Sequence, residues 1–140
     1  MHKQSKHGIR HVVAGIILRE SDSHILICQR AADQPLGLKW EFPGGKIEPG
    51  EDALQALRRE LDEELGIQAH IGEQVAKILH TYRNGNAVEL QFFRVENFEG
   101  ELLNKIFADI RWVPRASLPE FDFLEADVKL VREIADGKIV

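Results

Sequence analysis

Cysteine is almost missing from this chain: Cys28 stands alone, which excludes an internal disulfide and any cysteine-based metal cluster. It sits within the apolar stretch Ile25 to Cys28, where a core thiol is expected rather than a reactive one. Long apolar runs are missing too. None approaches the roughly 18 residues of a membrane span, and Met1 to Gly8 is polar, without the hydrophobic region of a secretory signal, so a cytoplasmic protein with no membrane partner is expected. Positive charge is in short supply, with 18 Lys and Arg against 23 Asp and Glu and a net charge of −5. That balance excludes a surface that coats nucleic acid, because duplex binding needs clustered bases to displace counterions.

What remains fits a single compact unit. At 140 residues, one domain over residues 9–140 is expected, after a flexible tail over residues 1–8 that includes His2, Lys3, Lys6 and His7. Val12 to Leu18 and His24 to Gln29 read as neighbouring strands across the polar Glu20-Ser21-Asp22-Ser23 turn. Asp33 to Lys39 reads as a loop, and Pro43-Gly44-Gly45 is expected to exclude regular structure. Val75 to Tyr82 and Val88 to Val95 flank Asn84-Gly85-Asn86, a strong hairpin signal, and Ile110 to Val113 forms a short strand closed by Pro114. Phe123 to Ala135 places Leu124, Val128, Val131 and Ala135 at helical spacing, with Asp122 as its N-cap. No repeat or low-complexity segment interrupts this order.

The helix expected over Glu51 to Leu65 carries the chemistry. At about 100° per residue, Leu54, Leu57, Leu61 and Leu65 share one arc, with Glu60, Glu63 and Glu64 in the next. Like charges three and four apart repel, at about 0.2–0.5 kcal/mol per pair. The same acids occupy the last turns before Gly66, where the helix dipole is negative and a base would be favoured. A solvated acidic face partly offset by Arg58 and Arg59 is the ordinary reading of such a run. Two helix rules broken together point instead to a functional site, and a hard divalent cation, Mg²⁺ or Mn²⁺, would supply the compensation through oxygen ligands.

From Gly45 to Ile67 the chain reads G-x5-E-x7-R-E-U-x-E-E-x-G-U, with U aliphatic, filled by Gly45, Glu51, Arg59, Glu60, Leu61, Glu63, Glu64, Gly66 and Ile67. This resembles the signature of the Nudix hydrolases. The flanks Arg30-Ala31-Ala32-Asp33 and Trp40-Glu41-Phe42-Pro43-Gly44-Gly45-Lys46 look like the MutT branch, which cleans nucleotide pools and so protects DNA. The resemblance implies an α/β fold, the Nudix α/β/α sandwich with a mixed β-sheet flanked by helices. It also implies that Glu60, Glu63, Glu64 and the Gly44 carbonyl hold the metal, that Arg59 orients the glutamates, and that Glu51 lies near the metal or the arginine. Arg30, Glu41, Phe42 and Lys46 are the substrate residues it implies, with Asp127 as the base-reading group and Trp40, Tyr82 or Phe42 as stacking surfaces. MutT-like enzymes commonly place another glutamate six positions ahead of a late tryptophan; counted from Trp112 that position is Ile106, and Glu99, Glu101 and Asp109 are out of register.

The implied reaction is hydrolysis of a nucleoside triphosphate to the monophosphate and pyrophosphate, with water attacking the β-phosphorus and Glu60 helping to deprotonate it. Oxidised purine nucleotides such as 8-oxo-dGTP are the leading substrates, with cytidine triphosphates, dinucleoside polyphosphates and ADP-ribose as alternatives. A non-catalytic nucleotide-sensing module is the rival from another class, disfavoured because every acid of the signature is present. The expected partner is the nucleotide alone, on a monomer or homodimer.

Overall fold

The computed structural model describes residues 8–140, so the expected tail residues His2, Lys3, Lys6 and His7 lie outside the described residues. In chain order the elements are β1 (Ile9–Ile17), β2 (Ile25–Gln29), β3 (Trp40–Glu41), β4 (Gly44–Lys46), α1 (Ala53–Leu65), β5 (Gln68–Thr81), β6 (Ala87–Glu99), β7 (Asp109–Val113) and α2 (Val128–Ala135), with 3₁₀ turns at Arg115–Glu120 and Glu125–Asp127. A mixed sheet runs β4-β1-β6-β5, with β1 and β6 parallel, and an antiparallel sheet runs β3-β2-β7. Among the described residues no helix is long and apolar enough to cross a membrane.

Strand alternation builds two cores. On one face Ala14, Ile16, Ile25, Ile27 and Phe92 pack with Leu130, Val131 and Ile134 of α2. On the other, Val13, Ile17, Leu26, Cys28 and Phe93 pack with Leu57, Leu61 and Leu65 of α1. Period-two strands buried on both faces read as continuous apolar runs, as Ile25 to Cys28 does. The expected α/β/α sandwich results, and Cys28 is fully buried within it.

Several details differ from the sequence reading. β1 and β2 do not form a hairpin: they meet through the single Leu18–Ile25 bridge and join different sheets. Pro43-Gly44-Gly45 does not exclude a strand, because Gly44 and Gly45 pair with Ala14 and Val13 of β1. A side chain on Gly44 would run into the Val13 carbonyl, so glycine permits this close approach of two backbones. The β5–β6 hairpin closes at Asn84-Gly85-Asn86 as expected, but its strands are longer, and β5 is irregular between His70 and Ala76.

The second helix starts later than its periodicity implied. Trp40 N–H donates to the Asp122 carbonyl at 2.9 Å and Leu124 N–H to the Trp40 carbonyl at 3.0 Å, so residues 122–124 lie strand-like beside β3. Asp122 is therefore no N-cap; its exposed carboxylate accepts from Lys39 Nζ at 2.8 Å. Val128 is exposed, and the buried positions are Leu130, Val131 and Ile134. In α1, likewise, Leu54 lies outside the core and Ala56 takes its place.

Candidate active site

α1 is defined at both ends by its own sequence. Asp52 accepts from the Gln55 backbone N–H at 2.8 Å while Gln55 Oε1 accepts from the Asp52 N–H at 2.9 Å, a reciprocal cap typically worth about 1 kcal/mol. Gly66, with φ of 70°, takes the left-handed conformation and donates to the Asp62 carbonyl at 2.9 Å. No basic side chain serves the last turn. Backbone amides do instead: Leu103 N–H donates to the Leu65 carbonyl and Lys105 N–H to the Glu64 carbonyl, which draws the loop carrying Ile106 over the helix end.

The helix acids have three different surroundings. Glu60 accepts from Arg59 Nη1 at 3.1 Å and lies against the Glu64 carboxyl. Arg59 also holds Glu63 at 3.3 Å, the Lys46 carbonyl at 3.1 Å and both oxygens of Glu51. The repulsion expected to be uncompensated is thus partly answered within the same segment, and Arg59 and Glu51 are brought together as the resemblance implied. Their mutual hydrogen bonds hold Glu51 down to about 2 and raise Arg59. Glu63 stands at the rim, with 59% of its side chain exposed.

Glu64 is the exception. It is 8% exposed, and among the described residues no Lys, Arg or His pairs with it. Its partners are the Gly44 N–H at 3.3 Å and the neighbouring Glu60 carboxyl. Burial pushes its carboxyl far up, and the Glu60 and Glu41 charges add to the rise. A buried carboxyl beside another carboxyl, lacking a cation, has the donor chemistry that a hard divalent ion satisfies. Among the described residues no three acidic, imidazole or thiol side chains are gathered closely enough to hold an ion as they stand. The oxygen donors of Glu60, Glu64 and rim-placed Glu63 nevertheless fit Mg²⁺ or Mn²⁺ in kind. Gly45 fits too: a Cβ there would overlap the Glu60 carboxylate, so its absence keeps that group against β4.

Glu64 and the glycines open onto a cavity of about 520 Å³, within the usual range for small-ligand sites. Arg30, Glu41, Phe42, Lys46 and Asp127 all line it, so the structure brings these five expected residues onto one cavity. Arg30 Nη1 donates to both Glu41 oxygens at 3.2 and 3.3 Å, and its Nε to the Pro35 carbonyl at 2.8 Å. Burial raises Glu41, with Arg30 pulling the other way. Asp127 ends the Glu125–Asp127 turn at 4% exposure; burial first, and Glu41 second, push it up to about 7.

Trp40 does not serve as a stacking surface, for its ring is buried edge-on against Phe121 at 5.2 Å, with the Arg111 guanidinium 5.5 Å away. Tyr82 and Phe42 do face the cavity. Ile106 lines it as well, whereas Glu99, Glu101 and Asp109 do not; Asp109 is held by Arg111 at 2.8 Å. Arg10 at the mouth escaped the sequence reading, since nothing in its neighbourhood distinguishes it from any surface arginine at a strand start.

Comparison with known proteins agrees with this geometry. Residues 9–134 match the NUDIX domain. The chain is 39% identical over 120 residues to the CTP pyrophosphohydrolase of Escherichia coli K12, covering 86% of this chain and 87% of that protein. It is 36% identical over 118 residues to the 8-oxo-dGTP diphosphatase of the same organism, covering 84% and 91%. A solved MutT structure, from work on the Aliivibrio salmonicida and Vibrio cholerae proteins, superposes with a TM-score of 0.76 at 34% identity, covering 93% of this chain and 99% of that one.

Proposed function

Since the chain belongs to the NUDIX family of hydrolases, we propose that it cleaves nucleoside triphosphates to the monophosphate and pyrophosphate with a divalent cation, cleansing the nucleotide pool. The observation that carries this reading is one cavity that brings together two unlike sets of groups. Buried Glu64 and the Gly44-Gly45 strand line it, and so does buried Asp127.

Each residue has a task in that arrangement. Glu60, Glu63 and Glu64, with the Gly44 carbonyl, would hold Mg²⁺ or Mn²⁺. When bound, such an ion neutralises phosphate charge and acidifies water. Arg59, fixed by Glu51, keeps Glu60 oriented, and Glu60 takes the proton from the attacking water. Lys46 and Arg10 offer positive charge to phosphate along the same wall. Arg30, Glu41 and Phe42 bound the nucleoside compartment, where Phe42 and Tyr82 present aromatic surface for a base.

Asp127 selects the base. A nearly dry carboxyl whose pKa lies near neutrality can both donate and accept a hydrogen bond, which suits the Watson–Crick edge of a nucleobase. Oxidised purine nucleotides such as 8-oxo-dGTP are the leading substrates. A cytidine triphosphate is the second reading, favoured by the identity to the CTP pyrophosphohydrolase. The enzyme works in the cytoplasm without a nucleic-acid partner. Screening 8-oxo-dGTP, CTP, dCTP and unmodified dGTP with Mg²⁺, and separating pyrophosphate from orthophosphate, tests the assignment. Pyrophosphate from one of these nucleotides is expected, and orthophosphate alone would refute it.

A further inference from the structure

His80 follows Ile78 on the core-facing side of β5, opposite the cavity-lining Val88 of β6. Its Nε2 is buried and lacks a satisfied hydrogen bond, an arrangement that costs about 1–3 kcal/mol when nothing offsets it. The nearest acid is Glu125, whose Oε2 lies 3.3 Å away, within ion-pair distance although poorly aligned for a hydrogen bond. Glu125 is otherwise solvent-facing, with 83% of its side chain exposed. It opens the 3₁₀ turn that ends at Asp127. On its other side, the His80 ring meets Tyr82 edge-on at 4.7 Å, and Tyr82 lines the cavity.

The turn carrying Asp127 is thus tied at two places. Toward β3, Leu124 N–H donates to the Trp40 carbonyl. Toward β5, the one polar contact among the described residues is His80 to Glu125. We propose that His80 and Glu125 form a latch that holds the Glu125–Asp127 turn against β5 and so sets the distance between Asp127 and the base bound over Tyr82. This rests on the reading of Asp127 as the base-selecting group. His80 does not line the cavity and is a positioning residue for nucleotide selection. Opening the latch loosens one wall of the base compartment and leaves the acids of α1 untouched, so binding and selectivity change while the chemical step does not.

The test is steady-state kinetics on His80→Ala, His80→Gln, Glu125→Ala and Asp127→Ala, each with the preferred nucleotide and a disfavoured one. His80→Ala and Glu125→Ala are each expected to raise KM for the preferred nucleotide about tenfold with kcat within about twofold of wild type. Combining them is expected to add nothing, the signature of two groups acting as one. His80→Gln, which keeps an N–H able to reach Glu125, is expected to restore most of the affinity. Glu125→Ala alters an exposed side chain, so it reports on the latch even where His80→Ala folds poorly. If Asp127→Ala changes selectivity while Glu125→Ala leaves KM and selectivity as in wild type and His80→Ala acts only through protein yield, the latch is refuted. If Asp127→Ala itself leaves selectivity unchanged, the base-selecting role of Asp127 fails, and the latch with it.

Discussion

Arg59 grips Glu51 with two edges of its guanidinium, Nε to Oε2 at 2.7 Å and Nη2 to Oε1 at 3.0 Å, and reaches Glu60 with its remaining nitrogen at 3.1 Å. The loop ahead of α1 is thereby fastened to the Glu60 carboxylate through one fork. Lysine cannot reproduce that geometry. Arg59→Lys is expected to lower kcat by about tenfold or more, through misplacement of Glu60, and to lower the melting temperature. Glu51 ionises more readily folded than unfolded, so its contribution to stability is full above the ordinary glutamate range. It is lost as the pH falls through about 2. Acid denaturation curves of wild type and Glu51→Gln should therefore converge at low pH and separate above it.

Glu60→Gln and Glu64→Gln should both cut turnover by roughly 10²-fold or more, yet part company in stability. Glu64 is buried without a cation, and its carboxyl is raised by that burial, so amide replacement removes an unfavourable group. Without divalent cation, Glu64→Gln is expected to be about 1–3 kcal/mol more stable than wild type near neutral pH, measured by urea unfolding. An unchanged or lower stability would mean that the Glu64 carboxyl is not strained by its surroundings.

Two adjacent glycines should fail differently. A Cβ on Gly45 meets only the end of the Glu60 side chain, which can swing aside, so Gly45→Ala should fold and lose about tenfold or more in kcat. A Cβ on Gly44 meets the Val13 backbone, which cannot yield, so Gly44→Ala should lose soluble yield and melting temperature first. Circular dichroism and kinetics on the pair separate the two effects.

The reaction class was legible in the sequence because it lies in a local spacing: Gly45, Glu51, Arg59, Glu60, Glu63 and Glu64 belong to one loop and helix. The helix caps and the Asn84-Gly85-Asn86 turn were legible for the same reason. What needed the structure was long-range. Leu103 and Lys105 answer the helix end, Trp40 takes up the backbone of residues 122–124, and β1 and β2 part into different sheets, none of which leaves a periodic trace. Asp127 lines the cavity, and its burial follows from that late helix start, which periodicity alone does not reveal.

Asp127 gives a second pH prediction, of opposite sign to Glu51. Folding raises this carboxyl to about 7, so the folded chain keeps a proton that the unfolded chain releases near 4. Its favourable contribution is full below the unfolded value and is lost as the pH rises toward about 7, beyond which the loss levels off. Asp127→Asn, which mimics the protonated form, should match wild type at about pH 4 and exceed it at about pH 8, by no more than roughly 4 kcal/mol. Thermal melts across that range check it.

The most direct test of the account is the fate of ¹⁸O-labelled water during turnover with Mg²⁺ and the preferred nucleoside triphosphate, read by mass spectrometry. Nucleoside monophosphate and labelled pyrophosphate are expected, formed only when Mg²⁺ is present. Release of orthophosphate and nucleoside diphosphate, or turnover indifferent to removal of the metal, would contradict it.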